Sequence, residues 1–256
     1  MIADGATYMT LSTVPPVNSR LLFRERVTDY HCHILPGIDD GAETLESALS
    51  MARLYQEAGY REIYCTSHQI RGKYEASAAD ILDARSRLQA ELVRANIPIR
   101  LLVGCEHYLD EFLLDTMKQP LLLEGTNLFL VEIPAFMAIE LVKEILFQVT
   151  CRGYVPLIAH PERCSLLELA DQGEKKSKFW DSWTTRNASV DNEVSLLRYL
   201  QDIGCQFQAN LGSFHGFYGK FIQNKAKSFE KASIYTHIGT DAHNPDHLKQ
   251  ILKPPI

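Results

Sequence analysis

Short apolar runs alternate along the chain with segments in which apolar residues recur at helical spacing. The runs predict seven strands, at Val27–His31, Glu62–Thr66, Arg100–Val103, Leu128–Glu132, Val155–Ala159, Gln206–Asn210 and Ile234–Thr240. Strands that alternate with helices are typical of β-α units with a parallel sheet and not of a sandwich. Seven such units favour a closed α/β barrel.

The segments between these runs carry helix start and stop signals. One apolar face begins behind Thr44, a residue type that caps helix N-termini, and its periodicity ends at Gly59. A second face begins behind Ser77, and a third runs from Leu141 to Val149. We therefore expect amphipathic helices after the first, second and fourth strands.

One segment interrupts this alternation. The residues between Leu169 and Val194 are polar, mixed in charge and include both tryptophans, Trp180 and Trp183. The simplest interpretation is a solvated loop with a short helix. A lid that binds a partner or gates the substrate is the alternative, because long loops in compact domains are often functional. We expect an N-terminal extension over residues 1–26 and one domain over 27–256, with this polar insert near 170–193.

Composition narrows the function classes. A chain of 256 residues that is 46% hydrophobic fits one large domain, since α/β barrels reach this length. The net charge of −6 argues against a nucleic-acid binder, which needs a basic surface. The start of the chain has no uninterrupted apolar signal region, and no stretch approaches the roughly 18 apolar residues of a membrane span. The expected location is the cytoplasm, which also suits six cysteines without paired spacing.

The strongest local signal for chemistry is the sequence Asp-Tyr-His-Cys-His at the end of the first predicted strand. Side chains two apart on a strand point to the same face, so His31 and His33 can reach one metal ion while Cys32 points away. The pair alone is a weak signal, because two such histidines are as readily explained by hydrogen bonds in the core or by exposure to solvent.

Further side chains of metal-ligand type recur where the other strands end. They are His68, Glu106, Glu132, His160, Asp241 and His243, and five of the nine histidines of the chain lie at strand ends. The C-terminal strand ends of a β/α barrel converge on one face, so residues far apart in sequence would meet there. The pattern therefore predicts a cluster of divalent cations.

Arg163 follows His160 by three residues. Its guanidinium is a planar fork that matches a phosphate group, and we predict that it binds phosphoryl oxygens. The alternative is a surface ion pair with Glu162.

The segment after the sixth predicted strand supplies candidates for the mouth of the site, namely Asn210, Ser213, Tyr218 and Lys220. Ordinary turn residues and a solvated lysine explain these four equally well. The aromatic residues Phe214, Phe217 and Tyr218 are candidates to flank the ring of an aromatic substrate, although ordinary packing explains them as often.

A second pattern points to a different phosphatase chemistry. Cys65 and Arg71 have the Cys-x5-Arg spacing of phosphatases that attack through a thiolate. Such loops usually contain glycine, whereas the residues between these two contain none and include His68. Cys65 also lies in an apolar strand, where burial would raise its pKa and leave the thiol inert. We therefore predict that no thiolate mechanism operates.

Seven stretches of the chain together resemble the polymerase-and-histidinol-phosphatase (PHP) family, and within it the bacterial capsule-type protein-tyrosine phosphatases that use manganese. In family order they are DYHCHILPGIDDGAETLESAL, TSHQIRGKYEAS, VGCEHY, FLVEIP, AHPERC, NLGSFHGFYG and GTDAHN. The resemblance covers nearly the whole chain from Val27 onward. One departure is at Ser67 and Gln69, which flank His68 where the family commonly has Pro and His.

The resemblance implies a distorted (β/α)7 barrel, TIM-like and of the PHP type, with up to three metal ions, for which manganese is the expected cofactor and iron or zinc the alternatives. It carries metal-ligand roles to nine residues: His31, His33, Asp40, His68, Glu106, Glu132, His160, Asp241 and His243. Of these, Asp40 shares a loop with Asp39, and composition alone does not choose between the two.

The resemblance also implies an activity and a partner. The expected reaction is hydrolysis of phosphotyrosine on a protein by a hydroxide held between metals, without a cysteine nucleophile. The expected partner is an autophosphorylating bacterial tyrosine kinase that controls capsular or extracellular polysaccharide export. Three other functions stay open: a small-molecule phosphatase of the histidinol-phosphate type, a non-catalytic metal-bound module that docks a partner through the tryptophan-containing insert, and, less favoured, a nuclease.

Overall fold

The computed structural model describes residues 27–117, 120–169 and 194–252. The extension expected over residues 1–26 and the insert expected near 170–193, with both tryptophans, lie outside the described residues.

The strands pair in parallel throughout. They are β1 Thr28–Cys32, β2 Glu62–Cys65, β3 His68–Gln69, β4 Arg100–Val103, β5 Glu106–Tyr108, β6 Leu128–Glu132, β7 Val155–Ala159, β8 Gln206–Asn210 and β9 His237–Gly239. One sheet has the order β1-β2-β4, and a second has the order β3-β5-β6-β7-β8-β9. The seven predicted strands are confirmed, although the last is shorter than predicted. The short strands β3 and β5 were not predicted, because each follows a longer strand after only two residues.

All but the last of the described helices lie between strands along the chain, and the last follows β9. They are α1 Leu45–Glu57, α2 Ala78–Arg94, α3 Leu113–Thr116, α4 Ile139–Cys151, α5 Leu196–Asp202, α6 Leu211–Phe214, α7 Lys220–Lys231 and α8 Pro245–Leu252, with a 3-10 turn at Pro161–Arg163. The predicted N-caps are confirmed: the Thr44 side chain accepts a hydrogen bond from the Ser47 amide, and Ser77 forms a capping box with Asp80.

Alternate residues of a strand pack into different clusters, as the period of two requires. In β6, Phe129 and Val131 belong to an apolar cluster that includes residues of α4. Leu128 and Leu130 face the other way, into a cluster shared with Leu157 of β7. Both faces of this strand are therefore buried, which explains why it reads as a continuous apolar run.

Backbone hydrogen bonds join the two sheets on one side, where the Asp241 amide, just after β9, donates to the His31 carbonyl of β1 over 2.7 Å. On the other side the chain itself connects the sheets, because β2 continues into β3 and β4 into β5. There the Gly104 amide donates to the carbonyl of Cys65 over 3.1 Å and extends the pairing of β2 with β4. A Cβ atom on Gly239 would lie 2.5 Å from the Cβ of His31, so only glycine lets β9 approach β1 this closely. The parallel strands thus form a curled sheet within an α/β fold, and the strand ends point towards one face.

Among the described helices, none combines the length and apolar character needed to cross a bilayer.

Candidate metal centre

The structure brings all nine predicted ligands together at the carboxyl ends of the strands. Three groups have ligand atoms within 4.8 Å of one another: His31, His33, Glu106 and Asp241 form the first, His33, Asp40, His68 and His243 the second, and His68, Glu106 and Glu132 the third. The remaining predicted ligand, His160, adjoins the third group, since its Nε2 lies 3.9 Å from Glu132 and 3.1 Å from Glu106. Shared members make the three groups one continuous cluster.

Glu106 lies at the centre of this cluster. Its Oε2 is 3.1 Å from Nε2 of His31, 3.3 Å from Nε2 of His33 and 3.0 Å from Nδ1 of His68. This buried oxygen and the His68 Nδ1 nevertheless form no hydrogen bond of acceptable geometry within the described part of the chain. Buried polar atoms normally have such a partner. Nitrogen and oxygen lone pairs that converge on one point without hydrogen bonds fit the coordination of a divalent cation.

Opposite charges counteract the effect of burial on the pKa values of this cluster. Burial by itself lowers the pKa of His31, but the attraction of Glu106 and Asp241 outweighs burial and raises that pKa to about 9. Burial would raise the carboxyl pKa of Glu106, yet the neighbouring His31 and His160 hold it well below its usual range. Burial would raise the pKa of Asp241 as well, but His31, His33 and Arg163 hold it well below its usual range, so both carboxylates are ionised and available as ligands.

The two adjacent aspartates have different surroundings. Asp39 is buried, and its Oδ2 accepts hydrogen bonds from Nδ1 of His33 over 2.7 Å and from the His68 amide over 2.8 Å. The side chain of Asp40 is 44% exposed, and its Oδ1 lies 3.6 Å from Nε2 of His68 and 3.7 Å from Nε2 of His243. Of the two, Asp40 is the one whose carboxylate belongs to a group of candidate ligand atoms, whereas Asp39 orients His33.

Hydrogen bonds also set which ring nitrogens face the cluster. Nδ1 of His243 lies 2.9 Å from the carbonyl oxygen of Asp241, which can only accept, so this nitrogen carries the proton and Nε2 keeps its lone pair. Nδ1 of His31 lies 2.8 Å from Oε1 of the buried Gln208, which also orients Nε2 of His31 towards Glu106. Sequence reasoning missed Gln208, because nothing in the pattern of β8 marks this inward residue as a histidine partner.

A second buried network holds the strand ends themselves. Asp29 accepts hydrogen bonds from the amides of His31 and Thr240, and from the hydroxyl groups of Tyr55 and Thr240. It therefore ties β1 to the residue before Asp241. Asp29 is the first residue of the Asp-Tyr-His-Cys-His motif, and nothing in that pattern marks it as the residue that joins these strand ends.

Two of the predicted ligands have unusual backbone conformations. The φ angle is 30° at His160 and 54° at Asp241, in the left-handed region that residues with a Cβ seldom adopt. Such conformations cost of order 1–3 kcal/mol each and persist only where the surroundings enforce them. Their occurrence at two positions of the same cluster is typical of a functional site.

Arg163 lies at the edge of the cluster. Its Nη1 donates to Oδ2 of Asp241, and its guanidinium stacks over the ring of Tyr218 with 4.6 Å between Cζ and the ring centroid. The predicted alternative, an ion pair with Glu162, is wrong. Glu162 is buried, and its two oxygens accept hydrogen bonds from the Asn210 amide and the Tyr235 hydroxyl.

The four residues predicted for the mouth of the site differ in their contacts and in their exposure. The side-chain amide of Asn210 donates to Oδ2 of Asp241 over 3.0 Å and to the Tyr218 hydroxyl over 3.2 Å. The Ser213 side chain is buried, whereas Lys220 is exposed and donates to Gln223. The interpretation of Lys220 as a solvated lysine is thus the one that the contacts favour.

The aromatic candidates also differ from one another in burial. Phe214 belongs to the apolar core, where its ring contacts that of Tyr235, so for this residue the contacts favour the alternative of ordinary packing. Phe217 is 42% exposed and stacks on His247 with 4.5 Å between ring centroids. Because His247 is in turn 6.0 Å from the ring of His243, this aromatic pair borders the metal cluster.

The cysteine pattern does not form a thiolate site. Cys65 is fully buried, and burial raises the pKa of its thiol far above the usual range. Arg71 is exposed and stacks over Phe112, with 4.2 Å between Cζ and the ring centroid. Cys32 packs in the apolar core, on the side of β1 opposite His31, as predicted.

Comparison with known proteins gives a family match. Residues 27–179 match the family model described as capsular polysaccharide synthesis, CpsB/CapC. The tyrosine-protein phosphatase YwqE of Bacillus subtilis is 30% identical over 218 residues, which cover 84% of this chain and 77% of that protein. The tyrosine-protein phosphatase CpsB of Streptococcus agalactiae is 27% identical over 237 residues, which cover 89% of this chain and 85% of that protein.

A solved structure resembles the chain as well. It comes from work on YwqE from Bacillus subtilis and CpsB from Streptococcus pneumoniae, described there as unique metal-dependent tyrosine phosphatases. The superposition has a TM-score of 0.71 at 27% identity, and it covers 88% of this chain and 84% of the other.

Proposed function

The chain belongs to the CpsB/CapC family of capsular polysaccharide synthesis proteins, and we propose that it is a metal-dependent protein-tyrosine phosphatase. The family expected from the sequence motifs is thereby confirmed. The observation that carries the activity is the convergence of histidine and carboxylate ligand atoms around Glu106, with a guanidinium at the edge of the cluster.

We infer that the nine clustered residues hold two or three divalent cations. Bound cations of this kind make a bound water more acidic and neutralise charge on a phosphoryl group. The ligand set contains imidazole and carboxylate without thiolate, which suits manganese and also iron or zinc. Of these, manganese is the ion that we propose. The positive charge would also attract an anionic phosphate to a protein of net charge −6.

In this proposal Arg163 binds the phosphoryl group of the substrate. One amino group of its guanidinium is bound to Asp241, and the side chain is 30% exposed, so the rest of the fork is open to a ligand. Burial would lower the pKa of Arg163, but Asp241 raises it above the usual range, so the group stays protonated. It therefore binds phosphoryl oxygens and fixes their orientation without itself exchanging a proton.

The aromatic pair of Phe217 and His247 supports tyrosine as the substrate residue. An aromatic leaving group that extends from a phosphate at the cluster passes the edge where these rings lie. Phosphotyrosine also carries its phosphorus about one ring farther from the peptide backbone than phosphoserine does, which suits a site recessed at the strand ends. The proposed partner is an autophosphorylated bacterial tyrosine kinase of capsular or extracellular polysaccharide synthesis.

The proposal extends to the architecture. The hydrogen bonds that join the end of β9 in one sheet to β1 in the other support a distorted (β/α)7 barrel of the PHP type. Residues 27–256 would form this single catalytic domain, with residues 1–26 as an extension and 170–193 as an insert.

The test is metal-dependent turnover. The purified protein is stripped of metal by a chelator, reloaded with manganese, iron or zinc, and assayed for phosphate release. We expect manganese to restore hydrolysis of a phosphotyrosine peptide, with kcat/KM at least about tenfold above that for a phosphoserine peptide or histidinol phosphate, a difference of roughly 1.4 kcal/mol. Equal turnover of histidinol phosphate would contradict the tyrosine assignment, and no turnover with any of the ions would contradict the enzyme assignment.

A further inference from the structure

A cavity of about 250 Å³ opens beside the metal cluster. It lies between the turn over residues 70–74 and the segment that follows β5, and its lining includes Gln69, Arg71, Tyr74, Glu75, Tyr108 and Asp110. The cavity is distinct from the cluster, because none of the nine candidate ligands lines it.

The cavity nevertheless shares a wall with the cluster. Gln69 directly follows His68 in β3, and the ring of Tyr74 stacks on the ring of His68 with 5.7 Å between centroids and an interplanar angle of 10°. On the other side, Tyr108 lies two residues after Glu106 in β5 and pairs in register with Glu132. A peptide whose phosphate lies at the cluster therefore has its neighbouring residues within reach of this cavity.

Two cations lie at the rim without a carboxylate partner. The Arg71 guanidinium lies over the ring of Phe112, and Nζ of Lys73 lies 4.6 Å from the ring centroid of Tyr74. Both side chains are exposed, and within the described ranges neither forms an ion pair with Asp or Glu. Stacking on an aromatic face holds a cation in place while its N–H groups stay available to a ligand.

The nearby carboxylates are already engaged with backbone amides. Oε1 of Glu75 accepts a hydrogen bond from the Gly72 amide over 2.8 Å, and Oδ1 of Asp110 accepts one from the Phe112 amide over 2.9 Å. They stabilise their own turns and do not bind Arg71 or Lys73. The two cations of this rim, Arg71 and Lys73, therefore keep charged N–H donors that no carboxylate of the described residues binds, although the protein as a whole is acidic.

We propose that this cavity binds the polypeptide next to the phosphotyrosine and that Arg71 and Lys73 select an acidic residue in that segment. The inference rests on the proposed phosphatase function and adds a substrate class to it. Carboxylates form charge-assisted hydrogen bonds with guanidinium and ammonium groups, and these bonds favour an acidic neighbour over an isosteric neutral one.

The experiment compares two phosphotyrosine peptides that differ only in one residue adjacent to the phosphotyrosine, Glu in one and Gln in the other. Wild-type enzyme should prefer the Glu peptide by about fivefold in kcat/KM, mainly through a lower KM, and added salt should narrow this preference. In the double variant Arg71→Ala, Lys73→Ala the ratio should fall to about one. The control variant Lys227→Ala removes an exposed cation of α7 that does not line the cavity, and it should keep the wild-type ratio.

The outcomes separate the two hypotheses. A wild-type ratio of one, or a double variant that keeps the wild-type ratio, would overturn the selection by Arg71 and Lys73. A small aryl phosphate such as 4-nitrophenyl phosphate is assayed in parallel with the wild-type enzyme. If the enzyme hydrolyses the aryl phosphate but does not distinguish the two peptides, only the selection by Arg71 and Lys73 fails. If the enzyme hydrolyses neither the aryl phosphate nor the peptides, the proposed phosphatase function fails.

Discussion

Oδ2 of Asp39 lies 2.7 Å from Nδ1 of His33, and this contact turns the other ring nitrogen of His33 towards Glu106. A carboxylate behind a ligand histidine fixes the tautomer of the ring and makes its free nitrogen more basic. The attraction of His33 and the amide bonds lower the pKa of Asp39 despite its burial, so this carboxylate stays charged. We therefore propose that Asp39 supports metal binding through His33.

We expect Asp39→Ala to weaken metal binding by the ligand groups that contain His33 by about 10–100-fold. Asp39 itself belongs to none of the three ligand groups. Titration calorimetry of the metal-free protein with manganese measures the change directly. Asp83→Ala, which removes an exposed carboxylate paired with Arg87, is the matched control and should bind metal as the wild type does. Unchanged affinity in Asp39→Ala would show that His33 needs no such support.

His160→Ala should abolish phosphate release and leave the fold largely intact. The His160 imidazole contacts the Glu106 and Glu132 carboxylates of the cluster. We therefore expect its removal to impair the candidate metal centre more than the packing of the core. Circular dichroism gives the fold, and an aryl phosphate assay gives the activity. A global loss of helical signal in the variant would instead assign His160 a structural role.

Cys65→Ser should retain most of the activity, because burial raises the pKa of this thiol and leaves it protonated and inert. Cys65→Ala serves as a second variant if the serine hydroxyl impairs folding in the apolar strand. Iodoacetamide should label the exposed Cys151 of the wild type without loss of activity. Inactivation of correctly folded variants at position 65 would revive the thiolate mechanism.

Arg163→Lys should lower kcat/KM for aryl phosphate by about tenfold or more although the charge is kept. A lysine ammonium is a point donor that cannot bind Asp241 and two phosphoryl oxygens as a planar fork does. Inhibition by inorganic phosphate should weaken in the same variant, because this product offers Arg163 the same kind of phosphoryl oxygens as the substrate does. Equal turnover by the variant and the wild type would exclude Arg163 as the phosphoryl ligand.

Phe217→Ala should reduce the preference for phosphotyrosine over phosphoserine peptides by about 2- to 10-fold, the range that corresponds to one aromatic pair of 0.5–1.5 kcal/mol. The comparison is the ratio of kcat/KM values for two peptides of otherwise equal sequence. Phe147→Ala on α4 is a suitable control, because Phe147 is 44% exposed and Phe217 is 42% exposed. An equal loss of kcat/KM for both peptides would show that Phe217 contributes to packing and not to recognition of the tyrosine ring.

The sequence by itself determined seven of the nine described strands, the helices α1, α2 and α4, and the set of candidate ligands. The continuous apolar run in Leu128–Glu132 and the cap at Ser77 are local features, so neighbouring residues suffice to predict them. The ligands were also predictable as a group, since parallel strands bring their carboxyl ends to one face whatever the details of packing. Whether each of the nine binds a metal stays a prediction.

Only the tertiary structure decided the role of each side chain within that group. The sequence leaves Asp39 and Asp40 equivalent, and the fold separates them because the loop buries one beneath His33 and exposes the other beside His243. Sequence proximity suggested Glu162 for Arg163, whereas the backbone at His160 turns the guanidinium towards Asp241, 78 residues away. Such choices depend on side-chain directions set by contacts between distant segments, and these contacts leave no periodic trace in the sequence.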